Sequence, residues 1–254
     1  MNLYLLYISF KSFKHFFTNI LQIFDFRWDN IKIIVFAPHP DDECYGAGGS
    51  ILKWLDEGHD LHIIFFTDGR AGYRVARERG DLEDCEETRI TEDELAKRRL
   101  EEANAAAKFL GVKKENRHFL KYYDQELKNH IDDAVKKIMN IVKDADIFVI
   151  PSNNNNHPDH QATHDIAIKV AQKLNLKNVK FYVFALYNPL KAEGEHVIKL
   201  RIGDLRFKVY EALKLHKSEF YTKDMGWQSL AMRDRRRERF GIYYLKDKGN
   251  FYNF

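Results

Sequence analysis

From Ile31 onward, short apolar runs alternate with longer amphipathic ones. Ile31–Ala37, Leu61–Thr67 and Asp146–Ile150 are near-continuous apolar runs, the pattern of strands buried on both faces. Arg117–Leu120 reads as a weaker strand and Val179–Phe184 as another. Between them the spacing predicts helices over Ala47–Glu57, Glu92–Leu110, His130–Lys143, Asp159–Leu174 and Asp204–Leu215, the second ended by Gly111 in a C-cap role. This alternation predicts an α/β fold: a single domain, residues 31–254, with a mainly parallel sheet flanked by helices. The charged stretch Arg70–Thr91, with Gly72 and Gly80, reads as a mobile loop able to close over a ligand.

The first 30 residues follow another pattern and are expected to form an aromatic, amphipathic extension. Phe13, Phe16, Phe17, Ile20 and Ile23 recur at helical spacing. A helix packed on the domain or on a second subunit is the expectation, which leaves room for a homo-oligomer. Membrane contact through residues 1–28 is the weaker alternative. The apolar stretch Leu3–Phe10 is far short of the about 20 residues that span a bilayer. No basic segment precedes it and no small-residue cleavage site follows, so a secretory signal fits poorly.

Composition narrows the class. With 44% hydrophobic and 31% charged residues, 13 Gly and 5 Pro, the chain is neither fibrous nor disordered. Its 41 Lys and Arg against 38 Asp and Glu give a net charge of only +3, which makes no case for a nucleic-acid partner. Two cysteines, Cys44 and Cys85, are no disulfide framework, and a reducing, cytoplasmic setting is expected. The basic cluster Arg233–Arg239 reads first as a solvated or subunit-facing surface. A contact to an anionic group on a substrate is the alternative, with modest extra weight from Arg70, Arg74, Arg77 and Arg79.

Two strand-end loops concentrate the chemistry. The first strand runs into Pro38-His39-Pro40-Asp41-Asp42-Glu43, and the strand at Asp146–Ile150 into Pro151 and then His157-Pro158-Asp159-His160. In open parallel sheets ligands bind beyond the carboxyl ends of the strands. Three acids and a histidine in five positions would repel one another in a purely structural turn, and a divalent metal removes that penalty. Zinc takes imidazole and carboxylate ligands, and a catalytic site keeps one position open. His39, one of the two aspartates and a histidine from the second loop supply such a set. The other carboxylate is then free to act as a base. Each loop alone also suits a capped helix start; together they point to a metal site. His164, one turn beyond His160, reads as a packing or capping residue.

At these residues the sequence resembles the PIG-L/LmbE-like family of zinc-dependent N-acetylglucosaminyl deacetylases. The matching motifs are Ala37-Pro38-His39-Pro40-Asp41-Asp42-Glu43 with Gly46, Gly48 and Gly49, and His157-Pro158-Asp159-His160. Thr67-Asp68-Gly69, Arg99, Glu102, Asp124 and His216-Lys217-Ser218 support it, with Glu219 where Gln is usual. The resemblance implies a Rossmann-like fold and one zinc per chain on His39, Asp42 and His160, although such a donor set also accepts other divalent metals. It implies Asp41 as general base, His157 as oxyanion stabiliser oriented by Asp159, and Arg99 and Asp124 as sugar contacts. The implied reaction removes acetate from an N-acetylated amino sugar or its conjugate, a small molecule or glycan. Another N-acyl or thiol-conjugate amide is the alternative substrate, and a non-catalytic sugar-binding module the reading from another class.

Overall fold

The computed structural model of the protein describes residues 30–222 and 234–245. The aromatic stripe of the first 30 residues lies outside them, as does Arg233. Seven strands form one sheet in the order β3-β2-β1-β4-β5-β7-β6. The first five are β1 (Lys32–Ala37), β2 (Asp60–Thr67), β3 (Arg117–Tyr122), β4 (Ile147–Pro151) and β5 (Lys180–Phe184), all parallel. Two further strands, β6 (Val197–Arg201) and β7 (Arg237–Tyr244), close the far edge antiparallel.

Alternate residues of each strand feed opposite layers. Ile34, Phe36, Ile64, Phe66, Phe148, Ile150, Phe181 and Val183 pack with helices α4 (Ile131–Val142) and α5 (Pro158–Lys173). Helices α1 (Asp42–Asp56), α3 (Glu92–Phe109) and α6 (Leu205–Leu213) pack together as a second group. Trp54 of α1 lies against Tyr182 of β5 and Phe240 of β7, with ring centroids 6.0 and 6.3 Å apart.

The first helix begins at Asp42, five residues before the start expected at Ala47, and β6 has no counterpart in the sequence reading; two further features add to that reading. The expected mobile loop Arg70–Thr91 contains helix α2 (Gly72–Arg79), which buries Tyr73 and Ala76. Two buried apolar positions among three arginines are too few to show a helical period. The described part of the basic stretch expected as a surface, residues 234–239, leads into and opens β7. Arg237 and Arg239 do face outward, but Glu238 between them is fully buried. Its carboxylate accepts hydrogen bonds from Gly49 N and Ser50 N at 2.8 Å and from Ser50 Oγ at 2.5 Å. A carboxylate at an inward strand position is opaque to pattern reading, because its partners lie 188 residues away.

Chain order makes β1 and β4 neighbours although β2 and β3 come between them in sequence. The strand order reverses there, and a crevice opens above the junction. The loops after β1 and β4 both enter it.

Candidate metal centre and active site

Helix α1 starts one residue after Asp41, whose carbonyl accepts from Cys44 N and Tyr45 N at 2.9 and 3.2 Å. This start delivers Asp42 into the crevice. Helix α5 starts at Pro158, and the imidazole of its N-cap His157 accepts from Asp159 N at 3.3 Å. That turn delivers His160, which is fully buried.

The three residues expected to hold a metal meet at one oxygen. His39 Nδ1 lies 3.1 Å and His160 Nε2 3.4 Å from Asp42 Oδ2. The other nitrogen of His39, Nε2, faces Asp124 Oδ1 at 3.2 Å and Asp159 Oδ2 at 3.3 Å. Carboxylates on Nε2 favour the proton there and leave the Nδ1 lone pair for a cation. His160 Nε2 is buried without a hydrogen-bond partner, an orphan that a cation would satisfy. His157 also comes within reach, since one donor atom each of His39, His157 and His160 lie within 4.8 Å of one another. Its nitrogens are already engaged, however, Nδ1 by Asp159 N and Nε2 by the Gln125 side-chain amide at 3.0 Å. The residues present fit a divalent metal on His39, Asp42 and His160.

Charge in this site follows burial and neighbours. Burial pushes the Asp42 carboxyl up, but His160 and then His39 outweigh it and hold its pKa at about 2. Burial lowers His160 to about 4 despite Asp42. For His39 burial also acts downward, yet Asp124 and the other carboxylates raise the net value well above normal. A metal must therefore displace a proton from this ring.

Asp41 stands beside the cluster, 6% exposed, without sharing the Asp42 oxygen. Burial and then the charge of Glu219 push its carboxyl well above the usual range, while Arg99 opposes them. Arg99 Nη2 lies 3.3 Å from Asp41 Oδ2 and 2.5 Å from Glu219 Oε1. The same guanidinium donates to Pro40 O at 2.9 Å and Gly69 O at 3.2 Å.

Several of the expected site residues make contacts within the protein. Arg99, expected at the sugar, is committed to four protein oxygens. Asp124, expected there too, turns to His39 Nε2 and accepts from Ala71 N at 3.2 Å. Asp159 does not orient His157 through its carboxylate, which accepts instead from Gln125 N at 2.7 Å and Leu127 N at 3.1 Å. For His157, expected as oxyanion stabiliser, burial and then His39 and His160 lower the pKa to about 4, so it is neutral near pH 7. His164 donates from Nδ1 to Pro151 O at 2.9 Å and stands apart from the ligand cluster, as expected.

Other contacts were not legible. Asn154 and Asn155 donate to Pro189 O and Leu186 O, both at 3.0 Å, so the asparagine run ties down the loop after β5. That loop places Tyr187, 69% exposed, with its ring centroid 5.6 Å from that of His160; no spacing in the sequence announces it. Ser218 N and Oγ donate to Glu102, and His216 Nε2 lies 3.5 Å from Glu43 Oε1. The segment after α6 thereby reaches Glu43 in the first turn of α1.

Comparison with known proteins identifies the family. The diacetylchitobiose deacetylase of Thermococcus kodakarensis is 31% identical over 180 residues, 67% of this chain and 62% of that protein's own length. A Bacillus anthracis protein named "Probable N-acetyl-alpha-D-glucosaminyl L-malate deacetylase 2" is 27% identical over 85% of this chain and 96% of its own. Among solved structures, the N,N'-diacetylchitobiose deacetylase of Pyrococcus horikoshii shares the fold at a TM-score of 0.67 and 24% identity, covering 92% of each chain. Residues 34–171, which hold both loops, match the model of the PIG-L family of GlcNAc-PI de-N-acetylases. The chain belongs to that family.

Proposed function

We propose that this protein hydrolyses the acetamide of an N-acetylated amino sugar, such as an N-acetylglucosamine unit, with one zinc ion held by His39 Nδ1, Asp42 and His160 Nε2. The observation that carries the reading is the convergence of those two ring nitrogens on Asp42 Oδ2, at 3.1 and 3.4 Å, with the Asp41 carboxylate alongside. When bound there, a divalent cation supplies the Lewis acidity that polarises an amide carbonyl and makes water nucleophilic near neutral pH.

The chain's own residues do the rest. Asp41 accepts a proton from the attacking water as the new C–O bond forms. It then gives that proton to the amide nitrogen as the C–N bond breaks, so that acetate and a free amine leave. A carboxyl pushed up by burial suits both transfers better than an ordinary one. Neutral His157 accepts at Nδ1 from Asp159 N, so its proton sits on Nε2, where the Gln125 side chain meets it at 3.0 Å with its amide oxygen turned to accept; a developing oxyanion that displaces Gln125 takes the same hydrogen bond. Such a donor is worth about 3 kcal/mol of barrier. Asp124 and Asp159 fix the His39 ring, and Arg99 holds Asp41 against the loop. The likeness of the chain to deacetylases of diacetylchitobiose and N-acetylglucosaminyl malate supports an acetylated amino sugar as the substrate.

The test is acetate release from N-acetylglucosamine and short chitooligosaccharides by metal-stripped and zinc-loaded protein. Release only after loading, with one zinc per chain, is expected. A protein that binds zinc yet hydrolyses only other N-acyl or thiol-conjugate amides would move the substrate away from amino sugars.

A further inference from the structure

The segment that follows α6 carries Glu219 back to the cleft, and it is anchored on three sides. Ser218 N and Oγ donate to Glu102 at 3.0 and 2.6 Å, Tyr73 Oη donates to Ser218 O at 3.1 Å, and His216 faces Glu43. So held, the Glu219 carboxylate lies 2.5 Å from Arg99 Nη2 with its side chain 12% exposed. That same nitrogen is the one that meets Asp41 Oδ2. One guanidinium thus serves two carboxylates and can balance only one of them.

Among the described residues the arginines beside this group do not make up the surplus. Asp42, Asp124 and Asp159 add three more buried carboxylates around His39 and His160. Against these five carboxylates, a divalent cation at the ligand cluster together with Arg99 supplies three positive charges and leaves two negative charges in excess. The arginines beside the cleft are committed elsewhere. Arg70 is bound to Asp68 at 2.8 Å and to Asp93 at 2.7 Å, with its face over the Tyr123 ring at 3.8 Å. Arg74 is bound to Glu92 at 2.8 Å.

We infer that Glu219 makes the cleft select acetylated amino sugars whose aglycone is neutral or cationic, and turn away those that carry a phosphate or carboxylate there. The inference rests on the deacetylase reading above. An anionic group entering a low-dielectric cleft beside an unbalanced carboxylate meets repulsion that water cannot screen. A sugar hydroxyl or an ammonium group finds an acceptor in the same place. The amine product, protonated as it leaves, is favoured as well.

The probes are a size-matched pair, methyl N-acetyl-α-glucosaminide and N-acetylglucosamine α-1-phosphate. Binding is measured by calorimetry on the metal-stripped protein, and kcat/KM on the zinc-loaded one. The neutral glycoside is expected to exceed the phosphate at least tenfold in both. Glu219→Gln is expected to narrow that ratio severalfold, chiefly through KM for the phosphate, and Glu219→Asp to keep it. A merely structural Glu219 would lower both probes together and leave the ratio unmoved, which would overturn the inference. So would a phosphate that binds as well as the glycoside in the unaltered protein. Retained binding preference without turnover of either probe would fault the deacetylase reading and leave the selection standing.

Discussion

Asp41, the residue assigned as base, sits at φ 120°, a conformation that L side chains rarely adopt. Gln125 at φ 77° and Tyr187 at φ 69° flank the same crevice. Strain of this kind costs about 1–3 kcal/mol per residue and persists only where the surroundings fix it. At Asp41 they do: its N–H donates to Glu43 Oε2 at 3.1 Å, its carbonyl caps α1, and Arg99 grips its carboxylate. Glu43 therefore belongs to the motif as a brace rather than as a ligand. A second histidine has a measurable consequence away from the metal. Burial holds His164 at about 4 against an ordinary 6.5, despite its bond to Pro151 O. Its folded value is depressed, so the unfolded chain takes up the proton first, and stability is lost as pH falls from 6.5 towards 4. The loss amounts to about 3 kcal/mol. Urea midpoints at pH 7 and pH 4.5 should therefore lie closer together in His164→Asn than in the unaltered protein; an equal acid shift in both would refute this account of His164.

Helix α1 links the motif to the fold. It is bent at Ala47, whose φ and ψ of −149° and 15° are not helical, and it carries glycines where other elements press close. A Cβ on Gly46 would stand 2.6 Å from Phe184 Cδ2, and one on Gly49 2.6 Å from Ile202 Cδ1. The glycines after the acidic loop are thus the space that lets α1 lie on β5 and the segment before α6, and so aims Asp42. Gly46→Ala should lower stability by about 1–3 kcal/mol and also weaken zinc binding, because the clash sits one turn from Asp42. Phe184→Leu in the same chain should recover part of both, read as a coupling in a double-mutant cycle. Simple additivity of the two changes would contradict the packing argument. Elements with strong periodicity, such as the long helix α3 with its Thr91–Glu94 capping box, were legible to within a residue or two. Helix α2 and strands β6 and β7 were not. Their burial depends on distant partners, as with the Leu82–Thr222 bridge and the Glu238 contacts to Gly49 and Ser50.

Across the whole molecule, the parallel half of the sheet explains why the site could be placed from sequence. Strand order reverses between β1 and β4, so the two loops richest in His and Asp must open on one crevice. Position alone narrowed the ligands to two loops that begin at the ends of buried strands, and the family resemblance supplied the choice of His39, Asp42 and His160, two, five and nine residues past those strands. What could not be read is which way each side chain turns. Asp159 and Asp124 serve His39, and Arg99 serves Asp41, because those orientations are set by long-range backbone donors such as Gln125 N, Leu127 N and Ala71 N. Both cysteines are free, Cys44 buried beside Glu43 and Cys85 partly exposed, in line with the expectation of no disulfide framework. Among the described residues no helix is long and apolar enough to cross a membrane.

The central claim is that Asp41 moves the protons while His39, Asp42 and His160 hold the metal. It is tested most directly by acetate release from N,N'-diacetylchitobiose, with the unaltered protein and Asp41→Asn side by side after zinc loading and with zinc content measured in each. The account predicts about one zinc per chain in both and acetate from the unaltered protein alone. Acetate release that survives in Asp41→Asn, or a chain that binds no zinc at all, would contradict it.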